Sequence, residues 1–234
     1  MNLPALLDDI ATANRILARY GVLDGFGHVS ARHPAQHDRY LLSRSLAPAQ
    51  VTPVDIMTFD LDSTPVDGDT RKPYLERYIH GAIYRARPDV HAVVHSHSPS
   101  VIPFGASSVP LRPVYHMAGF LGGAAPIFEI RERFGMTDML VRNGAQGEAL
   151  ASRLGEASVV LMRGHGYCTV GDSLAVAVYR AIYTESNAAL QQAAIGLGGD
   201  VTYLEPEEAA QADATNRGVV DRPWQLWKEE VAKR

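Results

Sequence analysis

The stretch VVHSHSPSV, residues 93–101, places His95 and His97 two positions apart at the end of a β-branched run. Side chains at positions i and i+2 of a β-strand point to the same face. The segment therefore predicts two imidazoles side by side, where a strand leaves its sheet. Two neutral imidazoles aimed at one point form half of a divalent-metal site. Alone, a short His-x-His pair is weak evidence, because surface turns also contain such pairs.

A third histidine follows a second apolar run. The segment ASVVLMRGHG, residues 157–166, predicts a buried strand that enters a turn, with His165 between Gly164 and Gly166. Glycine on both sides permits backbone angles that other residues avoid, and it lets another group approach closely. Taken alone, His165 is more readily explained as a loop histidine that caps a helix or is hydrogen-bonded in the core.

Glu76 is the fourth candidate. It lies in PYLERYIHGAIYRARP, residues 73–88, which predicts a helix that begins near Pro73 and ends before Pro88. An acid in a first helical turn is common, because it interacts favourably with the helix dipole. Three imidazoles and a carboxylate together, however, suit Zn²⁺, Mn²⁺ or Fe²⁺ and leave a coordination position for substrate. The sequence thus predicts a catalytic metal site with four ligands: His95, His97, His165 and Glu76.

The remaining pattern mixes strands and helices without a regular βαβ alternation. Apolar spacing from Leu6 to Tyr20 predicts a helix that ends at Gly21. Further strands are predicted within 25–34 after a turn, at 39–43, as a pair within 54–68, at 90–97 and near 125–132, and further helices at 144–155 and 172–199, the latter capped by Asp172 or Ser173. This order predicts an α/β layered fold with a largely antiparallel sheet, forming a single domain over residues 1–234.

Composition narrows the possible partners. The chain has 234 residues, 46% hydrophobic and 21% charged, with a formal charge of −4, which gives no reason to expect nucleic acid or a membrane surface as a partner. Its first residues do not resemble a signal peptide, and the single cysteine, Cys168, excludes an intrachain disulfide, so we expect a cytoplasmic protein. Cys168 is better explained as a buried residue that packs in the core than as a nucleophile.

The order of the candidate ligands resembles the class II aldolase/adducin family. The segments GHVSARHP (27–34) and SRSLAPAQVTPVDIMTFDLD (43–62) also fit the opening of that family, and the resemblance extends from about Leu6 to Leu204. It implies an α/β/α layer around a mostly antiparallel sheet, and a homotetramer with sites between subunits. It also implies that the three histidines hold a divalent ion, and that Glu76 binds the ion or acts as an acid or base when substrate displaces it. His80, one turn after Glu76 in the predicted helix, is expected on the same face.

Two departures from the phosphosugar aldolases of the family argue against a sugar-phosphate substrate. Those enzymes bind phosphate through an Asn in an early Gly-Asn turn and through a Ser-Ser pair before the glutamate. This chain has His28 in the turn, and Tyr74 and Leu75 before Glu76. Leucine cannot donate a hydrogen bond to phosphate, and tyrosine is a poor replacement for a small hydroxyl group.

The candidate substrate-binding residues are better suited to a substrate carboxylate than to a substrate phosphate. Arg44, flanked by Ser43 and Ser45, lies where the family places substrate-binding loop residues, and arginine binds carboxylates through two parallel hydrogen bonds. On composition alone, Arg44 is equally well explained as an exposed loop arginine. Arg163 is a second candidate, and His28 is expected to contact the substrate as well.

The segments SRSLAP, YHMAGFLGG, VLMRGHG and DRPWQLW are similar to a branch of the family that decarboxylates hydroxy-aromatic dicarboxylates. The resemblance implies a carboxy-lyase that uses Mn²⁺, with Zn²⁺ as the alternative, on a small aromatic carboxylate. The implied substrate is 3-hydroxy-2-methylpyridine-4,5-dicarboxylate, from vitamin B6 degradation, or a hydroxyphthalate. The metal would accept the electrons left by the departing carboxylate. Glu76 or His80 would protonate the ring carbon, with Tyr115 or His116 reaching the site across a subunit boundary.

Two other functions remain open at this point. A metal-dependent aldolase or epimerase that acts on a non-phosphorylated substrate would use the same ligands. A non-catalytic member, as in the cytoskeletal adducin branch, is disfavoured because all four candidate ligands are present.

Overall fold

The computed structural model describes residues 2–232, and its centre is a seven-stranded sheet in the order β3-β2-β1-β4-β7-β6-β5. Every neighbouring pair is antiparallel except β5 and β6, which are parallel. The strands are β1 (His28–Arg32), β2 (Arg39–Ser43), β3 (Ile56–Asp60), β4 (Ala92–Ser96), β5 (Ile127–Phe128), β6 (Val159–Met162) and β7 (Gly166–Gly171). The predicted layered fold with a mostly antiparallel sheet is confirmed.

Helices cover both faces of the sheet. They are α1 (Leu3–Arg19), α2 (Tyr78–Ala86), α3 (Ile102–Ala106), α4 (Arg131–Phe134), α5 (Gly144–Leu154), α6 (Leu174–Gly196), α7 (Pro206–Arg217) and α8 (Asp221–Ala232). One core lies between the sheet and α1, α6 and α8, and the other lies between the sheet and α2 and α5. In β4, Val94 packs into the first core and Val93 into the second. This two-sided burial explains the continuous β-branched run, because both faces of the strand are covered.

Most predicted elements are confirmed near their predicted bounds. Helix α1 ends at Arg19, and Gly21 then takes a positive φ of 68°, which favours glycine. Strand β2 covers residues 39–43, as predicted. Helix α6 is capped by Ser173, whose side chain accepts a hydrogen bond from the amide of Val176. Among the described residues, no helix is both long and apolar enough to cross a membrane.

The helix predicted from Pro73 begins later than the sequence suggests. Pro73 forms an isolated β-bridge with Arg44, and a 3₁₀ turn at Leu75–Arg77 precedes α2. Glu76 lies in this turn with φ −91° and ψ 18°, outside the helical range. The expectation that Glu76 and His80 share a helix face is therefore wrong, because a kink separates them.

Two strand predictions also differ from the structure. Residues 54–68 contain one strand, β3, and only a single bridge between Phe59 and Pro65 in place of a second strand. Pro65 has no N–H to donate to a strand ladder, which limits the pairing. The turn predicted around His165 is present at residues 163–165. The strand that follows it, β7, was not predicted, and it lies between β4 and β6 in the middle of the sheet.

Candidate metal centre

The four predicted ligands meet at one end of the sheet. The Nε2 atoms of His95 and His97 are 3.0 Å apart, and those of His97 and His165 are 3.1 Å apart. Oε2 of Glu76 lies 3.4 Å from Nε2 of both His95 and His165. Two metal–nitrogen bonds of about 2.0–2.1 Å that meet at about 90–110° hold their nitrogens about 2.8–3.4 Å apart. The spacing of these donor atoms therefore fits one divalent ion.

Backbone carbonyl groups orient two of the imidazoles. Nδ1 of His95 donates to the carbonyl oxygen of Tyr167 at 3.1 Å, and Nδ1 of His165 donates to that of Met139 at 3.0 Å. Because a carbonyl oxygen can only accept, each Nδ1 carries the hydrogen, and each Nε2 presents its lone pair to the other ligands. This is the tautomer that a metal ligand requires.

Glu76 is held as a carboxylate. Its Oε1 accepts a hydrogen bond from the Val141 amide at 3.0 Å, and only 6% of the residue is exposed. Burial by itself would raise the pKa of Glu76, but the imidazoles of His165 and His95 beside its Oε2 outweigh burial and hold this pKa well below its usual range. Burial would likewise lower the pKa of His165, yet Glu76 raises it above its ordinary value. The four ligands therefore favour positive charge between them, as a cation site does.

The pairing of β4 with β7 positions His97 beside His165. Ser96 of β4 pairs with Tyr167 of β7, so the turn that carries His165 lies against the end of β4. Gly166 permits this approach, since a Cβ at that position would overlap the carbonyl oxygen of Ser96 and lie 3.1 Å from Cα of His97. The two glycines of the Gly-His-Gly pattern therefore have different roles. Gly166 permits close packing, and Gly164 takes a positive φ of 61°, which favours glycine.

A surface cavity of about 380 Å³ opens onto the ligands. Glu76 and His97 line it, together with the polar residues His28, Ser45 and Tyr74. Most of the remaining wall is apolar or glycine: Gly25, Phe26, Gly27, Leu46, Ala47, Leu75 and Leu140. An apolar cleft with a few convergent polar groups is typical of a small-molecule site.

His28 and His80 have different positions relative to this cavity. His28 lines it, and its ring centroid is 5.1 Å from that of His95. His80 does not line it: the ring is fully buried behind His28, with His28 Nδ1 2.6 Å from His80 Nε2. Burial lowers the pKa of His80 to about 3, and burial followed by the charges of His80 and His95 lowers the pKa of His28 as well. Both imidazoles are therefore neutral near pH 7.

The loop that carries Arg44 borders the cavity, but Arg44 itself does not line it. Nε of Arg44 lies 2.7 Å from Oδ1 of Asp55 in an ion pair. Ser45 lines the cavity, whereas Ser43 is buried behind the wall, where its hydroxyl donates to Tyr74 OH at 3.2 Å. Tyr74 OH in turn donates to the carbonyl oxygen of Leu46, so Tyr74 fastens this loop to the cavity wall.

The other predicted substrate and proton-transfer residues lie elsewhere in the chain. Arg163 forms a two-point ion pair with Glu129, at 2.7 and 3.2 Å, and does not line the cavity. Tyr115 packs beside Tyr183 of α6, and His116 lines a different cavity next to α8. Within one chain, neither reaches the ligands.

Cys168 is buried, and its Sγ lies 3.5 Å from Nδ1 of His95. Burial raises the pKa of this thiol, which leaves it a packing residue.

Several residues at the site escaped prediction from the sequence. Val141 and Met139 contribute through backbone atoms, which leave no signal in side-chain identity. Ser30 and Tyr84 lie behind His80 and are ordinary strand and helix residues by pattern. Phe26, at the cavity mouth, is 70% exposed. A large exposed aromatic residue next to a glycine turn was the one signal available for it.

Residues 8–192 match the family model described as the Class II Aldolase and Adducin N-terminal domain. The chain belongs to this family. A solved structure of an aldolase II superfamily protein from Pseudomonas syringae superposes with a TM-score of 0.81 at 25% identity, covering 98% of this chain and 93% of that one.

Relatives of this class II aldolase family member include named decarboxylases. Decarboxylase tropJ of Talaromyces stipitatus is 38% identical over 99% of this chain and 96% of its own length. The 3,4-dihydroxyphthalate decarboxylase of Arthrobacter keyseri is 29% identical over 96% of this chain and 92% of its own. These decarboxylase relatives show that the chain is an enzyme, a carbon–carbon lyase of this family.

Proposed function

We propose that the protein is a divalent-metal-dependent decarboxylase of a hydroxylated aromatic carboxylic acid. One observation carries the proposal: the ligand cluster opens onto a cavity walled by Phe26, Leu75 and Leu140. Such a wall suits a flat ring held against metal ligands. The Asn and the Ser-Ser pair that bind phosphate in the family's sugar-phosphate aldolases are replaced here by His28 and by Tyr74 and Leu75. The decarboxylases among its relatives support the same reaction.

The bonds that change are few. The bond between a ring carbon and its carboxylate breaks, carbon dioxide leaves, and the electron pair stays on the ring and its phenol oxygen. A proton then adds to the same carbon. When bound at His95, His97, His165 and Glu76, a divalent ion supplies a Lewis acid for this electron pair, and we propose Mn²⁺, with Zn²⁺ as the alternative.

We also propose candidate residues for the proton transfer, and each would need a rearrangement or a neighbouring residue to act. Glu76 lines the cavity and is ionised, so it would act as a base or return a proton only when substrate rearranges its hydrogen bonds. His80 lies behind His28 and would act through it. Tyr115 would have to come from a neighbouring copy in the expected homotetramer, since it does not line the cavity of its own chain. Arg44 would have to leave Asp55, at least in part, to hold the carboxylate that is not lost.

The ring system of the substrate follows from similarity rather than geometry. A named relative acts on 3,4-dihydroxyphthalate, which makes a dihydroxyphthalate the first substrate to test. The pyridine analogue 3-hydroxy-2-methylpyridine-4,5-dicarboxylate has a ring nitrogen in place of a C–H and a methyl group in place of the second hydroxyl group, and it stays a second candidate. We expect the reaction in the cytoplasm.

Release of carbon dioxide tests the proposal. The purified protein with Mn²⁺ should release one carbon dioxide per molecule of 3,4-dihydroxyphthalate or of 3-hydroxy-2-methylpyridine-4,5-dicarboxylate, and His97→Ala should not. Cleavage of an aldol, or interconversion of sugars without carbon dioxide, would instead establish the aldolase or epimerase. Absence of release from every hydroxylated aromatic acid tested, with bound metal verified, contradicts the proposal.

A further inference from the structure

Behind the cavity, a row of short hydrogen bonds runs from His28 into the core. Nδ1 of His28 lies 2.6 Å from Nε2 of His80, and Nδ1 of His80 lies 2.6 Å from Oγ of Ser30. Oγ of Ser30 lies 2.8 Å from the hydroxyl of Tyr84. None of the four residues is more than 3% exposed. Both ring nitrogens of His80 are engaged, so the position of one hydrogen in the row determines the positions of the others.

Tyr84, at the end of the row away from the cavity, determines the direction in which the hydrogen bonds donate. The Tyr84 hydroxyl has one acceptor among the described residues, Oγ of Ser30. If Tyr84 donates to Ser30, the serine hydrogen goes to Nδ1 of His80, and Nε2–H of His80 donates to Nδ1 of His28. The reverse direction leaves the buried tyrosine hydrogen without an acceptor, which disfavours it about tenfold or more. The hydrogen of neutral His28 must then be on Nε2.

That nitrogen faces the cavity. Nε2 of His28 has no hydrogen-bond partner in the described part of the chain, is not fully buried, and belongs to a residue that lines the cavity. Among the other candidate side-chain donors, Tyr74 OH donates to Leu46, and Arg44 and Arg163 are paired with acids outside the cavity. This leaves the Ser45 hydroxyl as another side-chain donor in the cavity lining. No arginine or lysine lines the cavity within residues 2–232.

We propose that Tyr84, Ser30 and His80 are positioning residues that hold His28 with Nε2–H toward the cavity, as a fixed donor to a substrate oxygen. That this substrate oxygen belongs to a carboxylate or a phenolate rests on the proposed function. A fixed neutral donor favours a substrate that presents an acceptor beside the metal ligands. It also orients the ring without placing a positive charge next to the metal ion.

The tautomer can be measured without any substrate. In the full-length, Zn²⁺-loaded protein labelled with ¹⁵N-histidine, long-range ¹H–¹⁵N spectra should show Nε2 of His28 as an N–H nitrogen and Nδ1 as a lone-pair nitrogen. His28→Phe identifies the signal by its loss. Tyr84→Phe removes the hydroxyl that donates to Ser30, so Ser30 can then accept from His80, and both tautomers of His28 should become populated.

Tyr40→Phe is the matched control. Tyr40 is also fully buried, and its ring lies 6.2 Å from that of His80, but its hydroxyl bonds to Ser63 and to the Arg77 carbonyl. This variant should lose stability without changing the His28 tautomer. Ser30→Ala should also mix the tautomers, and Ser30→Thr, which keeps the hydroxyl, should restore the wild-type pattern.

Binding gives a second, quantitative readout. The dissociation constant of 2-hydroxybenzoate, which carries adjacent phenol and carboxylate oxygens, should rise by the reciprocal of the N–H fraction at Nε2. A half-populated tautomer therefore predicts about twofold weaker binding. A lone pair on Nε2 of wild-type His28, or identical spectra for Tyr84→Phe and Tyr40→Phe, would overturn the inference. If the protein releases no carbon dioxide from any aromatic acid, the proposed function fails, while the tautomer result stands or falls separately.

Discussion

The imidazole of His97 has fewer hydrogen bonds to the protein than the other two candidate histidine ligands. Nδ1 of His95 and of His165 donates to backbone carbonyls. Within residues 2–232, no backbone carbonyl accepts from the His97 ring, whose Nε2 lies 3.0 and 3.1 Å from Nε2 of the other two histidines. His97 is partly exposed, so its removal leaves less of a void than removal of the fully buried His95. Substitution of His97 therefore separates the metal site from the stability of the core.

We predict that His97→Ala loses bound metal and keeps its fold. Three ligands in place of four should reduce the metal retained after dialysis about tenfold or more, as measured by elemental analysis alongside circular dichroism. His91→Ala is the control, because His91 precedes the same strand and is exposed to solvent. Full metal retention by the His97 variant would show that the cluster is not the metal site.

At this scale, the sequence predicts ligands better than it predicts their partners. His95 and His97 are recognisable because strand geometry places alternate residues on one face. The ion pair of Arg44 with Asp55 depends on a capping turn at residues 52–55. That contact is between segments whose relative position only the folded chain defines. The same reason hides the Ser30 and Tyr84 partners of His80.

At the scale of elements, the β4–β7 pairing brings the two histidine segments together. The ladder continues to Ser96 and Tyr167, and it requires Gly166 to lie against the end of β4. A strand end held in this way cannot shift without moving the backbone next to His97. Metal binding and the integrity of this pair are therefore linked.

We predict that Gly166→Ala both destabilises the protein and weakens metal binding. The added methyl group would overlap the Ser96 carbonyl and crowd Cα of His97, and such overpacking costs about 1–3 kcal/mol. Thermal unfolding and metal titration measure the two effects. Gly123→Ala is the control, since a Cβ there meets nothing within 4 Å. A Gly166 variant that binds metal normally would contradict the close-packing role.

The predicted and observed elements differ where a tertiary contact overrides local pattern. Residues 73–88 have helical spacing and a proline suited to a first turn, yet Pro73 pairs with Arg44 and delays the helix to Tyr78. This delay turns Glu76 toward the histidines. Strand β7 also escaped prediction from local pattern: it follows the turn at His165 directly, and Gly166 and Gly171 in it allow close approach to neighbouring backbone.

At the scale of the whole molecule, the cavity lies at an exposed apolar rim. Phe26 and Leu75 at its mouth are 70% and 51% exposed. Met136, which precedes the cavity residue Leu140 in the same loop, is 88% exposed. Exposed apolar residues around a site are typical of a surface covered by another molecule. Tyr115, expected from the family resemblance to act across a boundary, lies away from the cavity of its own chain. These features agree with the expectation that neighbouring copies complete each site.

We predict that two inactive variants restore activity when their subunits are mixed. If each site takes Glu76 from one chain and Tyr115 from the next, Glu76→Gln and Tyr115→Phe each disable every site in a pure oligomer. Random exchange of subunits gives about a quarter of the sites both intact residues, because each residue is intact with a probability of one half. Decarboxylation should then recover to about a quarter of the wild-type rate. Glu76→Gln mixed with His97→Ala is the control, since both residues line the same cavity in one chain, and this mixture should stay inactive. An active monomer in sedimentation, or a mixture no more active than its separate components, would show that the site is complete within one chain.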